Sequence, residues 1–238
     1  MVMALSLFHR QDSLVIVAAY ENGLALAAQL NSQGHWELTY RAQAHSQPIL
    51  SLDVTPSKDS FFTSGADAII AKHPLPPLSA PAPNPPRSTN TIEPTPTTQT
   101  QPLKVVDTKH SGQQALRVRS DARIFATAGW DSRARVYSAR TMREVAVLAW
   151  HGAGCYAAAF SEVDPEPAGA PEVLQAVTSA EAAVDNSSGG GESGAGAGVI
   201  VPRLVDVTVR DRRVGQVRTT HWLAVGSKDG KVSLWDVF

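Results

Sequence analysis

Imidazole, hydroxyl and carboxylate side chains are the groups in this chain that could do chemistry, and they come in a recurring order. His45 precedes Thr63 and Asp67, His110 precedes Thr127 and Asp131, and His151 precedes Asp229. Such a set invites a hydrolytic triad, in which a carboxylate orients an imidazole that activates a hydroxyl. A triad needs one unique nucleophile beside an oxyanion hole, and it has no reason to repeat along a chain. A set that returns with each repeat points instead to structural hydrogen bonding, so no residue is assigned a catalytic role. The glycine tract from Gly189 to Gly198 lacks the Gly-Lys-Ser/Thr ending of a phosphate cradle. The histidines are dispersed and Cys155 has no partner at ligand spacing, so neither a metal nor a cofactor is expected. Cys155 reads as a buried strand residue.

The elements that carry these residues are short apolar runs at strand spacing, separated by turn residues. Leu14 to Ala19, Ile49 to Val54, Phe125 to Ala128 and Trp222 to Val225 are the clearest, and no segment shows a sustained helical period. The turns line up in phase. Thr63-Ser64-Gly65-Ala66-Asp67, Thr127-Ala128-Gly129-Trp130-Asp131 and Val225-Gly226-Ser227-Lys228-Asp229 share one shape, and an aromatic, Tyr137 or Trp235, follows the last two aspartates by six residues. His73 stands at that place in the first set, and Val225 replaces the hydroxyl in the last. A weaker repeat spans about Val2 to Tyr40, with Tyr20-Glu21-Asn22-Gly23 as its turn.

A repeat with an upstream His, a hydroxyl, a turn Asp and a closing aromatic is the pattern of WD40 β-propeller blades, and Trp235-Asp236 matches the dipeptide that names them. The fold class expected is therefore all-β: a partial WD40 propeller of about four blades, the last lacking its fourth strand. The predicted structural network comprises His45, Thr63, Asp67, His110, Thr127, Asp131, Tyr137, His151, Asp229 and Trp235. Propellers have about four to eight blades, so this reads as the C-terminal half of a larger ring, an open arc with exposed strand edges.

Composition frames this. Formal net charge is −1 with 43% hydrophobic residues, which implies no global pull toward nucleic acid or an acidic membrane. The apolar start, Met1 to Phe8, is too short for a signal peptide or a membrane span. One cysteine excludes an internal disulfide and fits a reducing compartment. The expected organisation is repeats 1–2 over 1–73, a disordered Pro/Thr-rich insertion over 74–102, and repeat 3 with the start of repeat 4 over 103–160. A largely flexible insertion follows over 161–220, and repeat 4 ends over 221–238. Within that second insertion, alternation from Arg203 to Arg218 suggests a strand with a basic outer face. The proline runs near Pro74 and Pro81 read as spacer rather than as a ligand for an aromatic groove. Trp130, next to a turn glycine, is a candidate partner contact at the blade rim.

Three segments go beyond the generic repeat. Phe125 to Tyr137, Thr141 to His151 and the terminal His221 to Asp236 resemble the ASTRA-associated protein family of fungi and its animal relative, the G-protein β-subunit-like protein. The resemblance implies a non-enzymatic scaffold subunit of the ASTRA assembly, linked to chromatin remodelling and to maturation of phosphatidylinositol-3-kinase-related kinases. Its implied partners are ASTRA subunits and kinase-maturation co-chaperone components, and its implied compartment is the nucleus, with the cytoplasm as the other choice. The other reading is a regulatory WD40 adaptor, of G-protein-β-like or ubiquitin-ligase type.

Overall fold

The computed structural model describes residues 1–76, 98–163 and 209–237. Two compact units divide the chain, Met1–Glu162 with His221–Phe238, and Val163–Thr220. The first holds four antiparallel sheets whose strands pair in chain order. Blade 1 is β1 (Val2–Arg10), β2 (Ser13–Tyr20), β3 (Leu24–Leu30) and β4 (Trp36–Gln43). Blade 2 is β5 (Ile49–Val54), β6 (Ser60–Gly65), β7 (Ile69–Pro74) and β8 (Lys104–Asp107). Blade 3 is β9 (Gln113–Val118), β10 (Ile124–Gly129), β11 (Arg133–Ser138) and β12 (Glu144–Ala149). Blade 4 has β13 (Cys155–Phe160), β14 (Trp222–Ser227) and β15 (Val232–Asp236) among the described residues. These are partial WD40 propeller blades.

Period-two alternation puts each strand's side chains on two faces, and in a stack of sheets both faces of an inner blade are buried. The face toward the next blade in chain order is termed forward, the other backward. Val17, Ala19, Ala25 and Ala27 of blade 1 meet Leu52 and Phe61 of blade 2 in one core. Phe62 and Ile70, facing forward from blade 2, meet Leu116, Phe125 and Tyr137 of blade 3. Ala126, Ala134 and Val136 then meet Ala158, Leu223 and Val225 of blade 4. The seams are aromatic in places, with Phe62 and Phe125 ring centroids 4.8 Å apart. Polar clips cross the middle seam: the Ser51 hydroxyl accepts from the Leu116 amide at 3.1 Å, and Asp53 accepts from the Val118 amide at 2.7 Å.

The first strand of every blade carries a register shift at the same place, leaving Met3, Leu50, Gln114 and Tyr156 as the extra residues. A bulge re-aims one side chain and sharpens the twist. Three of these four, Leu50, Gln114 and Tyr156, line a cavity of about 340 Å3 that all four first strands surround.

Two expectations are corrected. The stretch expected as a strand within Arg203 to Arg218 forms a helix, α1 (Val209–Thr219), over its described part. Over this described part no strand pairs with it, and arginine and glutamine are good helix formers. Val209, Val214 and Val217 are exposed on it. The Pro/Thr-rich insertion is also narrower than 74–102. Pro74 ends β7 and Leu75 is buried in the first core. At the other end, Gln99 bridges to Tyr40, its amide donating to Thr39 O at 3.1 Å and its carbonyl accepting from the Arg41 amide at 2.9 Å. The second proline run, the glycine tract and most of the 161–220 insertion lie outside the described residues. No helix among the described residues is long and apolar enough to cross a membrane.

Candidate functional site

In blade 2 the residues singled out by spacing meet. His45 arrives on the loop after β4, Thr63 lies in β6, Asp67 in the β6–β7 turn and His73 in β7. His45 Nδ1 is 2.9 Å from Asp67 Oδ1 and its Nε2 is 2.8 Å from Thr63 Oγ1. Thr63 Oγ1 is 2.8 Å from His73 Nε2, and His73 Nδ1 is 2.7 Å from the Tyr40 hydroxyl. Donor counting fixes the direction of this chain. A tyrosine hydroxyl at neutral pH has one proton to give, and a carboxylate has none. Tyr40 therefore donates to His73, His73 to Thr63, Thr63 to His45, and His45 to Asp67. Every proton is placed with both imidazoles neutral.

Electrostatics agree with that assignment. Burial pushes the His45 imidazole below its usual range, against the opposing pull of Asp67. Burial, reinforced by the nearby His45, pushes His73 down to about 3. Burial drives the Tyr40 hydroxyl above its usual range. Asp67 feels burial in the upward direction, but hydrogen bonds from His45 and from the Ser46 and Ile69 amides outweigh it and hold the carboxyl low. His73, read from sequence as a substitute for an aromatic, both stacks on Phe61 at 4.6 Å and carries the relay. Tyr40, on the neighbouring blade, was not found by spacing because its partner is 33 residues away.

Blade 3 departs from the expected set. His110 Nδ1 lies 4.0 Å from Asp131, beyond hydrogen-bond reach, with the imidazole side chain 38% exposed. Asp131 instead binds Arg135, whose guanidinium donates to both carboxylate oxygens at 3.1 and 2.5 Å. Arg135 is buried, and its Nε also faces Glu144 at 3.4 Å. Burial pulls the Asp131 carboxyl upward, yet the Arg135 hydrogen bond and charge hold it below its usual range. Thr127 is buried but its partner is not His110. Tyr137 stacks on Phe125 at 5.1 Å; its hydroxyl sits near Thr127 without a well-formed hydrogen bond, and burial pushes it up to about 12.

Blade 4 departs differently. His151 Nε2 is 2.9 Å from Ser233 Oγ rather than near Asp229. The Trp235 indole N–H donates to the same hydroxyl at 2.8 Å. Asp229 caps its own turn, accepting from the Lys231 amide at 3.2 Å, and pairs with Lys231 Nζ at 3.4 Å. Cys155 is buried at the start of β13, and burial pushes its thiol up to about 11, with Asp131 and Asp229 adding to the shift.

One register position accounts for all three outcomes. Thr63 pairs with Ala71, Thr127 with Arg135, and Val225 with Ser233. Ala71 leaves space beneath the turn, so His45 enters and bonds Asp67. Arg135 fills that space with its own cation, takes the aspartate and leaves His110 outside. Ser233 returns, one strand over, the hydroxyl that Val225 lacks, and His151 follows it. The residue four beyond the turn aspartate was the missing sequence signal.

Trp130 is 45% exposed at the β10–β11 turn. Its indole N–H donates to Gln114 Oε1 at 2.9 Å. Its ring covers Gly112, where a Cβ would come within 2.2 Å of it. Gly112 has φ +71, so the ring's seat depends on a glycine in the left-handed region. Trp130 is thus displayed and held. Among the described residues no group of three or more His, Cys, Asp or Glu could hold a metal ion.

Comparisons with known proteins agree with this architecture. The profile described as WD domain, G-beta repeat matches residues 214–236. ASTRA-associated protein 1 of Verticillium alfalfae is 49% identical over the whole chain, which covers 50% of that protein. The Pyricularia oryzae protein of the same name is 39% identical, with all of this chain and 61% of the relative aligned. That of Schizosaccharomyces pombe is 35% identical over 67% of the chain and 42% of the relative. The chain spans about half the length of the curated relatives it matches. Identities of 49% and 39% across the whole of this chain lead to one conclusion: the chain belongs to the ASTRA-associated protein 1 family.

Proposed function

We propose that this chain is a non-enzymatic scaffold subunit that places WD40 blades within the ASTRA assembly in the nucleus. Through that assembly it serves chromatin remodelling and the maturation of phosphatidylinositol-3-kinase-related kinases. The observation that carries the reading is the alignment of every residue to proteins named for association with ASTRA. The geometry supports a binding role, since His45 and Asp67 are spent on an internal hydrogen bond and Trp130 stands displayed on a fixed seat. A held, exposed tryptophan is the kind of anchor that concentrates binding energy. The His45–Thr63–His73–Tyr40 relay then has a structural task, clamping the loop between blades 1 and 2.

The experiment is affinity purification of the tagged chain from fungal nuclei, beside its Trp130→Ala variant. ASTRA subunits are expected with the parent chain and are expected to fall at least tenfold with the variant, because losing a tryptophan anchor costs about 2 kcal/mol or more. Absence of every ASTRA subunit from the parent purification defeats the scaffold reading. Equal recovery by both proteins removes Trp130 from it.

A further inference from the structure

Blade 3 lies between two other blades, and one end of its sheet gathers positive charge that no carboxylate answers. Two turns meet there, β9–β10 at Arg119 to Arg123 and β11–β12 at Ala139 to Arg143. Backbone hydrogen bonds hold them together: the Ala139 amide donates to Arg123 O at 2.9 Å, and the Ser138 amide to Arg143 O at 3.0 Å. Arg123, Arg140 and Arg143 are therefore neighbours, and all three are exposed. Lys104, the first residue of β8 in blade 2, reaches across and donates from Nζ to Thr141 O at 2.6 Å. Its ladder partner is Lys72, so two like charges stand directly opposite, an arrangement that destabilises a sheet. The carboxylates in and beside these turns have cations of their own. Asp121 accepts from Arg119 through both oxygens, at 2.9 and 2.6 Å, and Glu144 faces Arg135 at 3.4 Å. None of Arg123, Arg140, Arg143 and Lys104 has an ion pair among the described residues.

A cluster of unpaired cations repels itself, and a bound anion relieves that repulsion. We propose that this end of blade 3 binds an acidic segment, rich in Glu and Asp, of a partner protein. Charge complementarity sets the sign of the occupant, and the layout sets its form. The four cations come from three separate backbone segments and are exposed, which suits a run of carboxylates along an extended chain at about 3.3 Å per residue. Nucleic acid fits less well. Single strands need exposed rings for base stacking, and the aromatics at this end of blade 3, Phe125 and Tyr137, are buried. Four cations also fall short of the about 6–10 phosphate contacts of a strongly salt-dependent duplex binder. Trp130 follows β10 at the opposite end of the same strands, so the two surfaces are separate.

The probe is a fluorescent polyglutamate peptide of about twelve residues, titrated with the full 238-residue chain and followed by anisotropy. Micromolar binding is expected at about 50 mM salt, weakening as salt rises because exposed charges are screened. Each exposed ion pair contributes up to about fivefold, so the triple variant Arg123→Gln, Arg140→Gln, Arg143→Gln should bind about tenfold more weakly. A second triple variant, Lys109→Gln, Lys228→Gln, Lys231→Gln, removes as much charge from turns at the opposite strand ends. It should bind like the parent. All six positions are exposed, and far-UV circular dichroism serves as the folding control. Where the arginine variant loses its sheet signal, Lys104→Gln with Arg140→Gln replaces it, with an expected loss of about fourfold. The proposal is overturned by a parent chain that leaves the peptide unbound, or by equal losses in the two triple variants. It is equally overturned if inorganic phosphate or a DNA duplex of matched charge displaces the labelled peptide at a lower concentration than unlabelled peptide does.

Discussion

Acid should weaken blade 2 through His73, and the size of the effect follows from its burial. The imidazole is enclosed, accepts a hydrogen bond from Tyr40 and donates one to Thr63, so a second ring proton on Nδ1 would displace the Tyr40 hydroxyl proton from its acceptor. Its folded pKa of about 3 lies below the unfolded value of 6.5. With the folded value depressed, the unfolded chain binds more protons between those two pH values, so stability is full above about 6.5 and falls as pH drops toward 3. The slope is about 1.4 kcal/mol per pH unit, which makes about 2.7 kcal/mol lost between pH 7 and 4.5. The perturbation is His73→Phe, a side chain that suits a position held by Tyr137 and Trp235 in the later blades. At pH 7 the variant should be less stable by about 2 kcal/mol, the cost of leaving the buried Tyr40 hydroxyl unpaired. Its pH dependence should lack the His73 slope, so the two stability curves should meet near pH 5, at about 2 kcal/mol of accumulated acid loss in the parent. Urea unfolding followed by circular dichroism, at pH steps from neutral to acid, measures both curves. Parallel curves would refute the neutral-relay assignment.

Two further outcomes follow from the site geometry. Arg135→Ala should cost about 3 kcal/mol, since it strips a buried cation from Asp131 and Glu144. It also recreates the alanine of blade 2, so a structure of the variant should show His110 turned inward within hydrogen-bond distance of Asp131; His110 left outside would sink the register argument. Ser132→Gly should stabilise by about 0.5–1 kcal/mol, because Ser132 sits at φ 65 in the turn where the last repeat has Gly230 at φ 78. A thermal melt that does not rise would remove backbone strain as the explanation.

The repeat, the all-β class and the phase of the turns were legible because they rest on local rules: alternation marks strands, and an Asp or Asn before a left-handed residue marks their turns. The blade 2 triad of His45, Thr63 and Asp67 was legible for the same reason, since each residue keeps a fixed offset from its turn. Sequence spacing could not tell that His110 and His151 would leave their aspartates. That was decided across the ladder, where Arg135 or Ser233 stands opposite Thr127 or Val225 and competes for the same space. The place of Tyr40 in the relay likewise depends on which sheet lies against which. Side-chain type and period are written along one strand, whereas occupancy of a buried volume depends on neighbours brought together only by the stacking of blades.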